Sequence, residues 1–286
     1  MRRCIELASK NVGYTYPNPL VGSVIVCDNK IIGEGSHEKY GESHAEVNAI
    51  NSVKDKGLLK NSTLYVNLEP CNHYGKTPPC TEAIINNNIK KVVIGSQDPN
   101  KLVDGSGIEK LRSSGCDVSV GILDKECDEL NKRFFTYHKL KRPFIILKWA
   151  ESKDGFISPI KSINTLKKVN WISGEDAKKL SHKWRSEEHS ILVGVQTIID
   201  DDPILTTRFV EGRSPIRFVL DPNSRIPLDS RILSDNVKTT ILSKKENKLI
   251  PNYTKAIEID DINLIIKSIY EMNIQSIIIE GGTKTI

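Results

Sequence analysis

Hydrophobic and polar positions in the first half of the chain switch repeatedly between the spacing of strands and the spacing of helices. Short apolar runs bounded by turn residues predict buried strands, whereas apolar residues that recur with a helical period predict helices. The predicted strands are Val21–Cys27, Lys30–Gly35, Thr63–Leu68, Lys91–Gly95 and Val118–Gly121. The predicted helices cover Cys4–Ala8, Ala45–Val53, Thr81–Asn86 and Ile108–Arg112. This alternation indicates a sheet covered by helices.

A second alternating region begins after Pro143. Its predicted strands are Phe144–Leu147, Ser190–Val195, Ile216–Leu220, Thr240–Leu242 and Ile277–Ile279, and its predicted helices are Asp176–Arg185 and Ile262–Met272. The stretch Phe156–Val169 has no clear period and predicts a loop. The polar, basic stretch Leu130–Arg142 predicts a domain boundary, and its basic end Lys139–Arg142 predicts a linker. Because 286 residues suit about two domains, we expect one domain over 1–140 and another over 144–286.

Composition and charge argue against several classes of protein. The net charge of +5 is mild and the basic residues are spread out, so the charge gives no reason to expect a nucleic-acid partner. No apolar run reaches the roughly 18 residues of a membrane span, and the N-terminus lacks the apolar core of a signal peptide. Six cysteines are too sparse for a disulfide scaffold, which favours a cytoplasmic protein whose paired cysteines bind metal.

The sharpest motif is His44-Ala45-Glu46 followed by Pro70-Cys71 and Pro79-Cys80, the order of residues in zinc deaminases. One imidazole and two thiolates hold zinc and leave a fourth position for water, which then ionises near neutral pH. Glu46 is not a ligand in this scheme; it carries the proton from water to the ring nitrogen and the leaving amine. The start of a helix at Cys80 is expected to lower the pKa of its thiol.

Other interpretations of this motif stay open. His73 could supply a fourth ligand and close the site, which would make a structural zinc or a binding module without catalysis. A deaminase of nucleic-acid bases is another possibility, but aromatic residues make up only 6% of the chain. The remaining cysteines are expected to be buried as small hydrophobic residues: Cys4, Cys27, Cys116 and Cys127.

Eight residues separate Cys71 from Cys80, where cytidine and nucleic-acid deaminases have Cys-x-x-Cys. Together with this loop, several runs resemble the bifunctional riboflavin-biosynthesis deaminase–reductases: Tyr16–Gly22, Gly35–His37, Asp98–Asn100, Leu147–Ala150, Ser152–Gly155, Trp171–Ser173, Ile191–Gly194, Thr197–Arg208 and Glu280–Gly282. The resemblance implies an α/β protein. Its first domain would be a cytidine-deaminase-like α/β/α sandwich, and its second an incomplete α/β domain like dihydrofolate reductase.

The resemblance also implies two reactions: zinc-dependent deamination of a diamino-pyrimidinone that carries a phosphorylated ribosylamine, and NADPH-dependent reduction of the ribosyl group to ribityl. It implies zinc ligands His44, Cys71 and Cys80, with Glu46 as proton shuttle. Deaminase substrate contacts would be Asn18, His37, Lys76, Asp98 and Asn100. NADPH contacts would be Ala150, Trp171, Thr197, Asp201, Gly281 and Gly282, and reductase substrate contacts Lys148, Arg185, Leu205, Arg208 and Glu280. The partner is a small phosphorylated pyrimidine, and the chain is expected to form a homo-oligomer.

Two features depart from the family pattern. The family has Gly-x-Ser just before the position of Trp171, where this chain has Lys167-Lys168-Val169-Asn170 and so lacks the expected hydroxyl. The sequence also stops at Ile286, where family members continue, so we expect a fragment or a naturally shortened protein. The alternative function is therefore a deaminase-only enzyme with a degenerate reductase domain.

Overall fold

The structure, a computed structural model, describes residues 1–157, 172–257, 259–282 and 285. The chain divides into two compact units, Met1–Leu140 and Lys141–Ile286. Each unit contains one sheet and its own buried apolar clusters. Within the described ranges, no helix combines the length and the apolar character needed to span a bilayer.

The first unit is built on a mixed five-stranded sheet in the order β2-β1-β3-β4-β5. The strands are β1 (Gly22–Cys27), β2 (Lys30–Ser36), β3 (Thr63–Leu68), β4 (Lys91–Ser96) and β5 (Asp117–Val120). β1 is antiparallel to β2 and to β3, whereas β3, β4 and β5 are parallel. The carboxyl ends of β3 and β4 therefore lie at the same edge of the sheet, and the loops that leave this edge carry the candidate site.

Helices cover this sheet because each turns an apolar stripe towards it. They are α1 (Arg2–Ser9), α2 (Ala45–Ser52), α3 (Cys80–Asn86), α4 (Ser106–Ser113), α5 (Asp124–Leu130) and α6 (Lys132–Leu140), with a 3₁₀ turn over Lys56–Asn61. The central cluster joins Val66 and Ile94 of the sheet to Ala49, Ile84 and Leu111 of the helices. The four cysteines expected to be buried outside the metal motif are buried, which confirms that prediction.

The predicted linker Lys139–Arg142 is wrong for its first two residues, because they end the helix α6 (Lys132–Leu140). This helix occupies most of the polar boundary stretch Leu130–Arg142. Phe134 and Phe135 are buried and pack in one cluster with Leu68 of β3. Two adjacent aromatic side chains among basic residues give a weak periodic signal, yet burying them stabilises a helix that its polar composition does not predict.

The second unit contains a six-stranded sheet in the order β10-β9-β8-β7-β11-β6, in which each neighbouring pair is parallel. The strands are β6 (Phe144–Lys148), β7 (Ser190–Gly194), β8 (Ile216–Leu220), β9 (Thr239–Ser243), β10 (Thr254–Ala256) and β11 (Ser276–Glu280). The helices are α7 (Glu175–Glu187), α8 (Val195–Asp201) and α9 (Ile262–Glu271), with a 3₁₀ turn over Arg231–Leu233. Apolar clusters containing Val193 and Phe218 bury the sheet, as parallel sheets require. From position 158 onward, the predicted loop Phe156–Val169 lies outside the described residues.

Candidate active sites

Three residues from different elements of the first unit converge on one point. His44 is the residue that precedes α2, Cys80 is the first residue of α3, and Cys71 lies in the loop after β3. Their ligand atoms all lie within 4.8 Å of one another. His44 Nδ1 is 3.2 Å from the sulfur of Cys80 and 3.5 Å from that of Cys71. The spacing of these atoms would allow one ion to contact all three.

The chemistry of this donor set fits zinc, which prefers imidazole nitrogen and thiolate sulfur. Among the described residues, His44, Cys71 and Cys80 form the metal-competent group, and His73 does not belong to it. The closed four-ligand site considered from the sequence is therefore not formed. Three protein ligands leave a fourth coordination position, which is the arrangement of catalytic rather than structural zinc sites.

Glu46 lies in the first turn of α2, two residues after His44, and is only 3% exposed. Burial raises the pKa of the Glu46 carboxyl above its usual value, and the nearby His44 only partly opposes this effect. A carboxyl whose pKa is raised above its usual value towards neutral pH is better suited to general acid–base catalysis than an exposed one. As the sequence predicts, His44 and Glu46 lie at the start of one helix.

The pKa values of the two thiols are shifted in opposite directions. A hydrogen bond with Cys80 is the main cause that lowers the pKa of Cys71 to about 4, and His44 contributes in the same direction. The same contact with Cys71, followed by burial, raises the pKa of Cys80. The expectation that the helix start lowers the pKa of Cys80 is therefore wrong for this pair, because a second buried thiolate beside the first is disfavoured.

Two predicted substrate contacts, Asn18 and His37, are held beside His44. The ring of His37 packs edge-on against the ring of His44 at a centroid distance of 5.3 Å. His37 Nδ1 donates to the carbonyl of Ser43 at 3.1 Å, so its Nε2 accepts from the side-chain amide of Asn18 at 3.0 Å. Burial lowers the pKa of His37, which agrees with a neutral ring. Both ring nitrogens of His37 are thus engaged with protein atoms.

Asp98 and Asn100 lie in the loop after β4. The carboxylate of Asp98 accepts from the backbone N–H of Asn100 at 2.7 Å. Burial raises the pKa of Asp98 to about 7, and the neighbouring charges of Glu69 and Cys71 act in the same direction. The fifth predicted contact, Lys76, is exposed on the loop between the cysteines.

Lys76 has an aromatic partner that the sequence did not suggest. Its ammonium group lies 3.9 Å from the centre of the Tyr40 ring, within the range of a cation–π interaction. Tyr40 belongs to the loop between β2 and α2, so the contact links the two loops that flank His44. No spacing in the sequence relates position 40 to position 76, which is why only the structure reveals it.

In the second unit, Lys148, Arg185 and Glu280 form a charged cluster. Lys148 and Glu280 are paired neighbours at the carboxyl ends of β6 and β11. Arg185 donates two hydrogen bonds to the Glu280 carboxylate, at 2.8 and 3.2 Å, and Lys148 lies 3.7 Å from it. Burial favours a raised pKa at Glu280, but Arg185 and Lys148 outweigh it and hold that pKa below its usual value.

His182 is a residue at this cluster that sequence reasoning missed. It lies one turn before Arg185 on α7 and is buried. Its Nδ1 accepts from the backbone N–H of Arg208 at 3.0 Å. Burial, followed by the charges of Arg185 and Arg208, lowers the pKa of His182 to about 4. The spacing of three residues between His182 and Arg185 was the available signal, since it places both on one helix face.

The structure also brings together two of the predicted cofactor contacts, Thr197 and Gly281. A Cβ atom on Gly281 would lie 3.2 Å from the hydroxyl of Thr197 and 3.8 Å from the backbone nitrogen of Gly194. Gly281 has φ +139, a conformation that favours glycine, and among the described residues no atom lies within 4 Å of a Cβ built on Gly282. This side-chain-free turn beside α8 suits the close backbone approach of a dinucleotide phosphate, so these residues fit NADPH.

The remaining predicted residues of the second unit are dispersed. Ala150 is partly exposed just after β6, and Asp201 is exposed at the end of α8. Leu205 is 3% exposed and packs in the apolar cluster under the sheet. Arg208 is exposed and donates to the Thr206 hydroxyl at 2.9 Å. Trp171 and Val169 lie outside the described residues.

Comparison with known proteins gives matches to both halves. Residues 143–286 match the family model of the RibD C-terminal domain, and residues 1–96 match that of the cytidine and deoxycytidylate deaminase zinc-binding region. The riboflavin biosynthesis protein RibD of Aquifex aeolicus is 43% identical over all of this chain and 81% of its own length.

Solved structures agree with the sequence matches. A diaminohydroxyphosphoribosylaminopyrimidine deaminase/5-amino-6-(5-phosphoribosylamino)uracil reductase from Thermotoga maritima superposes with a TM-score of 0.89. It is 40% identical, and the alignment covers 100% of this chain and 80% of that structure. Acinetobacter baumannii RibD is 33% identical, with the same TM-score of 0.89 over 99% of this chain and 80% of its own.

Proposed function

Because the chain belongs to the RibD family of riboflavin-biosynthesis proteins and is a bifunctional deaminase–reductase, we propose that a separate set of its residues carries out each reaction. Its fold class is the one that the sequence predicts, with a cytidine-deaminase-like first domain and a reductase-like second domain. Zinc serves the first domain and NADPH the second.

In the deamination, the group of His44, Cys71 and Cys80 holds zinc and Glu46 moves the protons. Zinc supplies a Lewis acid that lets water ionise near neutral pH. Glu46 takes one proton from water and gives it to the pyrimidine ring nitrogen, and it then carries the second proton of that water to the departing amine, which leaves as ammonia. The observation that carries this assignment is the burial of Glu46 beside Cys80 and His44, which raises its proton affinity above that of an exposed carboxyl.

The substrate of this step is proposed to be diaminohydroxyphosphoribosylaminopyrimidine, the compound in the name of the Thermotoga protein. Asn18, held by His37 beside the metal group, presents an amide that can read the pyrimidine edge. Asp98 and Asn100 approach from the side of Cys71. Lys76, steered by Tyr40, is proposed to meet the substrate phosphate as a point charge.

In the reduction, NADPH supplies a hydride and the protein supplies position and charge. Thr197, Gly281 and Gly282 are proposed to hold the cofactor, together with Ala150, Asp201 and Trp171. Lys148 and Arg185 place two cations against the single carboxylate of Glu280, and Arg208 lies near enough to Arg185 for that charge to lower its pKa. This excess of positive charge favours a phosphorylated substrate. Leu205 is proposed to form the apolar floor of this site.

The presence of Lys148, Arg185, Arg208 and Glu280 supports an active reductase over the deaminase-only alternative. The first experiment measures ammonia release from the diamino substrate without NADPH, and then NADPH oxidation when the cofactor is added. We expect zinc-dependent ammonia release in the first assay and hydride transfer in the second. Ammonia release without NADPH oxidation would support the deaminase-only alternative, and no ammonia release would refute the assignment of the first site.

Glu46→Gln tests the proton shuttle itself. Ammonia release should fall by about 10²–10⁴-fold, the usual contribution of a general acid–base group, while bound zinc and NADPH oxidation are retained. Glu42→Gln is the matched control, because Glu42 is an exposed carboxylate just before His44. Ammonia release at the normal rate in Glu46→Gln, with zinc bound, would exclude Glu46 as the shuttle and favour the binding-module interpretation.

We also propose that the protein is a cytoplasmic homo-oligomer that does not bind nucleic acid. The two thiol ligands must stay reduced, which supports a reducing compartment. On the edge strand β6 and just after it, Leu147 and Trp149 are each 49% exposed, and burying them in a second copy supports oligomerisation. Light scattering measures the oligomeric state. RNA binding with a steep salt dependence would contradict the proposal that the protein does not bind nucleic acid.

A further inference from the structure

A buried glutamate, Glu69, lies directly before Pro70 and Cys71 at the end of β3 and is only 4% exposed. Its carboxylate accepts hydrogen bonds from four backbone N–H groups. They belong to Gly107 (2.9 Å) and Ile108 (3.2 Å) on Oε1, and to Gly105 (3.0 Å) and Asp98 (3.1 Å) on Oε2. A carboxylate has about four acceptor positions, so the bonding capacity of Glu69 is filled entirely by backbone donors.

These donors are the two ends of one loop. Asp98 begins the loop after β4, and Gly105 to Ile108 form the start of α4. Gly105 precedes α4 and provides no side-chain cap, so Glu69 satisfies N–H groups that the helix leaves unpaired. Its negative charge is also favourable at a helix N-terminus. One side chain therefore closes the loop at both ends.

Further contacts hold the residues inside this loop in place. The Asp98 carboxylate accepts from the backbone N–H of Asn100 at 2.7 Å, and the Asn100 carbonyl accepts from Val103 at 2.7 Å. On the other side, a Cβ atom on Gly107 would lie 2.0 Å from the carbonyl oxygen of Pro70. The loop thus rests directly on the residue that precedes Cys71, with no room for a side chain between them.

We propose that Glu69 is a positioning residue of the deaminase, which sets the distance between Cys71 and the substrate-binding side chains of Asp98 and Asn100. The inference rests on the substrate contacts proposed above for those two residues. An amide at this position could not replace the carboxylate, because it would direct two N–H donors at N–H groups. The loop would then move relative to Cys71 while the metal ligands stay in place.

The test compares Glu69→Gln with Glu109→Gln in the full chain. Glu109 is an exposed carboxylate in the first turn of α4, so the control removes the same charge near the same helix end. We expect Glu69→Gln to retain zinc and to raise the KM for the diamino substrate by about tenfold or more, the effect of misplaced hydrogen bonds to a substrate. Its kcat should change much less, and Glu109→Gln should match the unmodified chain.

A purely structural effect gives a different result. If Glu69 only stabilised the domain, its loss would lower zinc content and kcat together, because fewer molecules would be folded, and KM would stay the same. That result, or an ordinary KM in Glu69→Gln, overturns the proposal. If Glu69→Gln holds too little zinc for its KM to be measured, Glu69→Asp keeps the charge with a shorter reach and should raise KM with zinc bound. Loss of zinc in both variants also overturns the proposal.

Asn100→Ala separates this inference from the proposed function. A normal KM in Asn100→Ala refutes the substrate contact proposed for Asn100, whatever the result at Glu69. A raised KM in Asn100→Ala beside a normal KM in Glu69→Gln overturns only the positioning proposal. If both are raised, the double variant should show less than the product of the two single effects, since both changes act on one contact.

Discussion

The two candidate sites bury their polar groups by different means. In the first unit, the buried groups at the site change their protonation: Cys71 becomes acidic, while Glu46 and Asp98 hold their protons more tightly. In the second unit, Arg185 and Glu280 stay charged at 12% and 11% side-chain exposure because each compensates the other. Loss of a partner therefore shifts protons in the first site, whereas in the second it leaves an unpaired buried charge.

We expect the largest difference between the two sites when a metal ligand of the first site is replaced. Cys80→Ser should release zinc and abolish ammonia release, because metal affinity depends on the complete thiolate set, while NADPH oxidation with the deaminated substrate continues. Metal analysis and the two assays measure this. Cys116→Ser is the control, since Cys116 lies outside the metal group and serine can keep the hydrogen bond to Ile89. Parallel loss of both activities would show that the two sites are not independent.

The next largest effect is expected at Glu280. Glu280→Gln leaves Arg185 and Lys148 without a carboxylate, so the second unit should lose about 3–5 kcal/mol of stability and most of its reductase turnover. Urea denaturation and NADPH oxidation measure the change, and ammonia release should persist. Glu271→Gln provides an exposed control at the end of α9. Unchanged stability in Glu280→Gln would mean that the cluster is solvated and does not depend on mutual compensation.

A smaller effect is expected at the cofactor turn. Gly281→Ala adds a methyl group at φ +139 that would press on the Thr197 hydroxyl. The KM for NADPH should rise about tenfold, the equivalent of roughly 1–2 kcal/mol of backbone strain, with little change in the KM for the pyrimidine. Gly174→Ala is the control, because no atom of the described residues lies within 4 Å of a Cβ built on Gly174, and its φ is −73. A rise in the pyrimidine KM alone would remove Gly281 from the cofactor site.

The smallest effect is expected from His182, whose pKa of about 4 in the folded chain lies below the ordinary 6.5. Between these values the unfolded chain binds more protons than the folded one. The contribution of His182 to stability is therefore complete above pH 6.5 and is lost as the pH falls towards 4. His182→Gln can keep the bond from Arg208 and should weaken the pH dependence of urea unfolding.

Some of the pH dependence will remain in His182→Gln, because burial also lowers the pKa of His189, to about 3. The comparison is therefore between the slopes of the two chains over the same pH range. Identical slopes would show that His182 is not held neutral in the folded chain, and the second site would then resemble the first in allowing protonation to change.

Elements that are stabilised by residues close together in the sequence could be predicted, whereas elements that depend on packing against distant residues could not. Thr63–Leu68 and Ile216–Leu220 were predicted with the observed bounds because a buried strand is a local apolar run. The helix Lys132–Leu140 was missed because its stability comes from packing Phe134 and Phe135, not from its own pattern. The edge strand Thr254–Ala256 is too short to have a recognisable period.

The metal chemistry follows from residue type and order: an imidazole, a carboxyl two residues later and two thiols. Only the folded chain shows which carboxyl has a raised pKa, which of the two thiols has the lower pKa and which arginine is paired with a carboxylate. Arg185 and Glu280 are 95 residues apart in the chain, and Glu69 collects its donors from 29 to 39 residues away. Proton affinity and ion pairing depend on burial and on distances in space, which the order of residues does not contain.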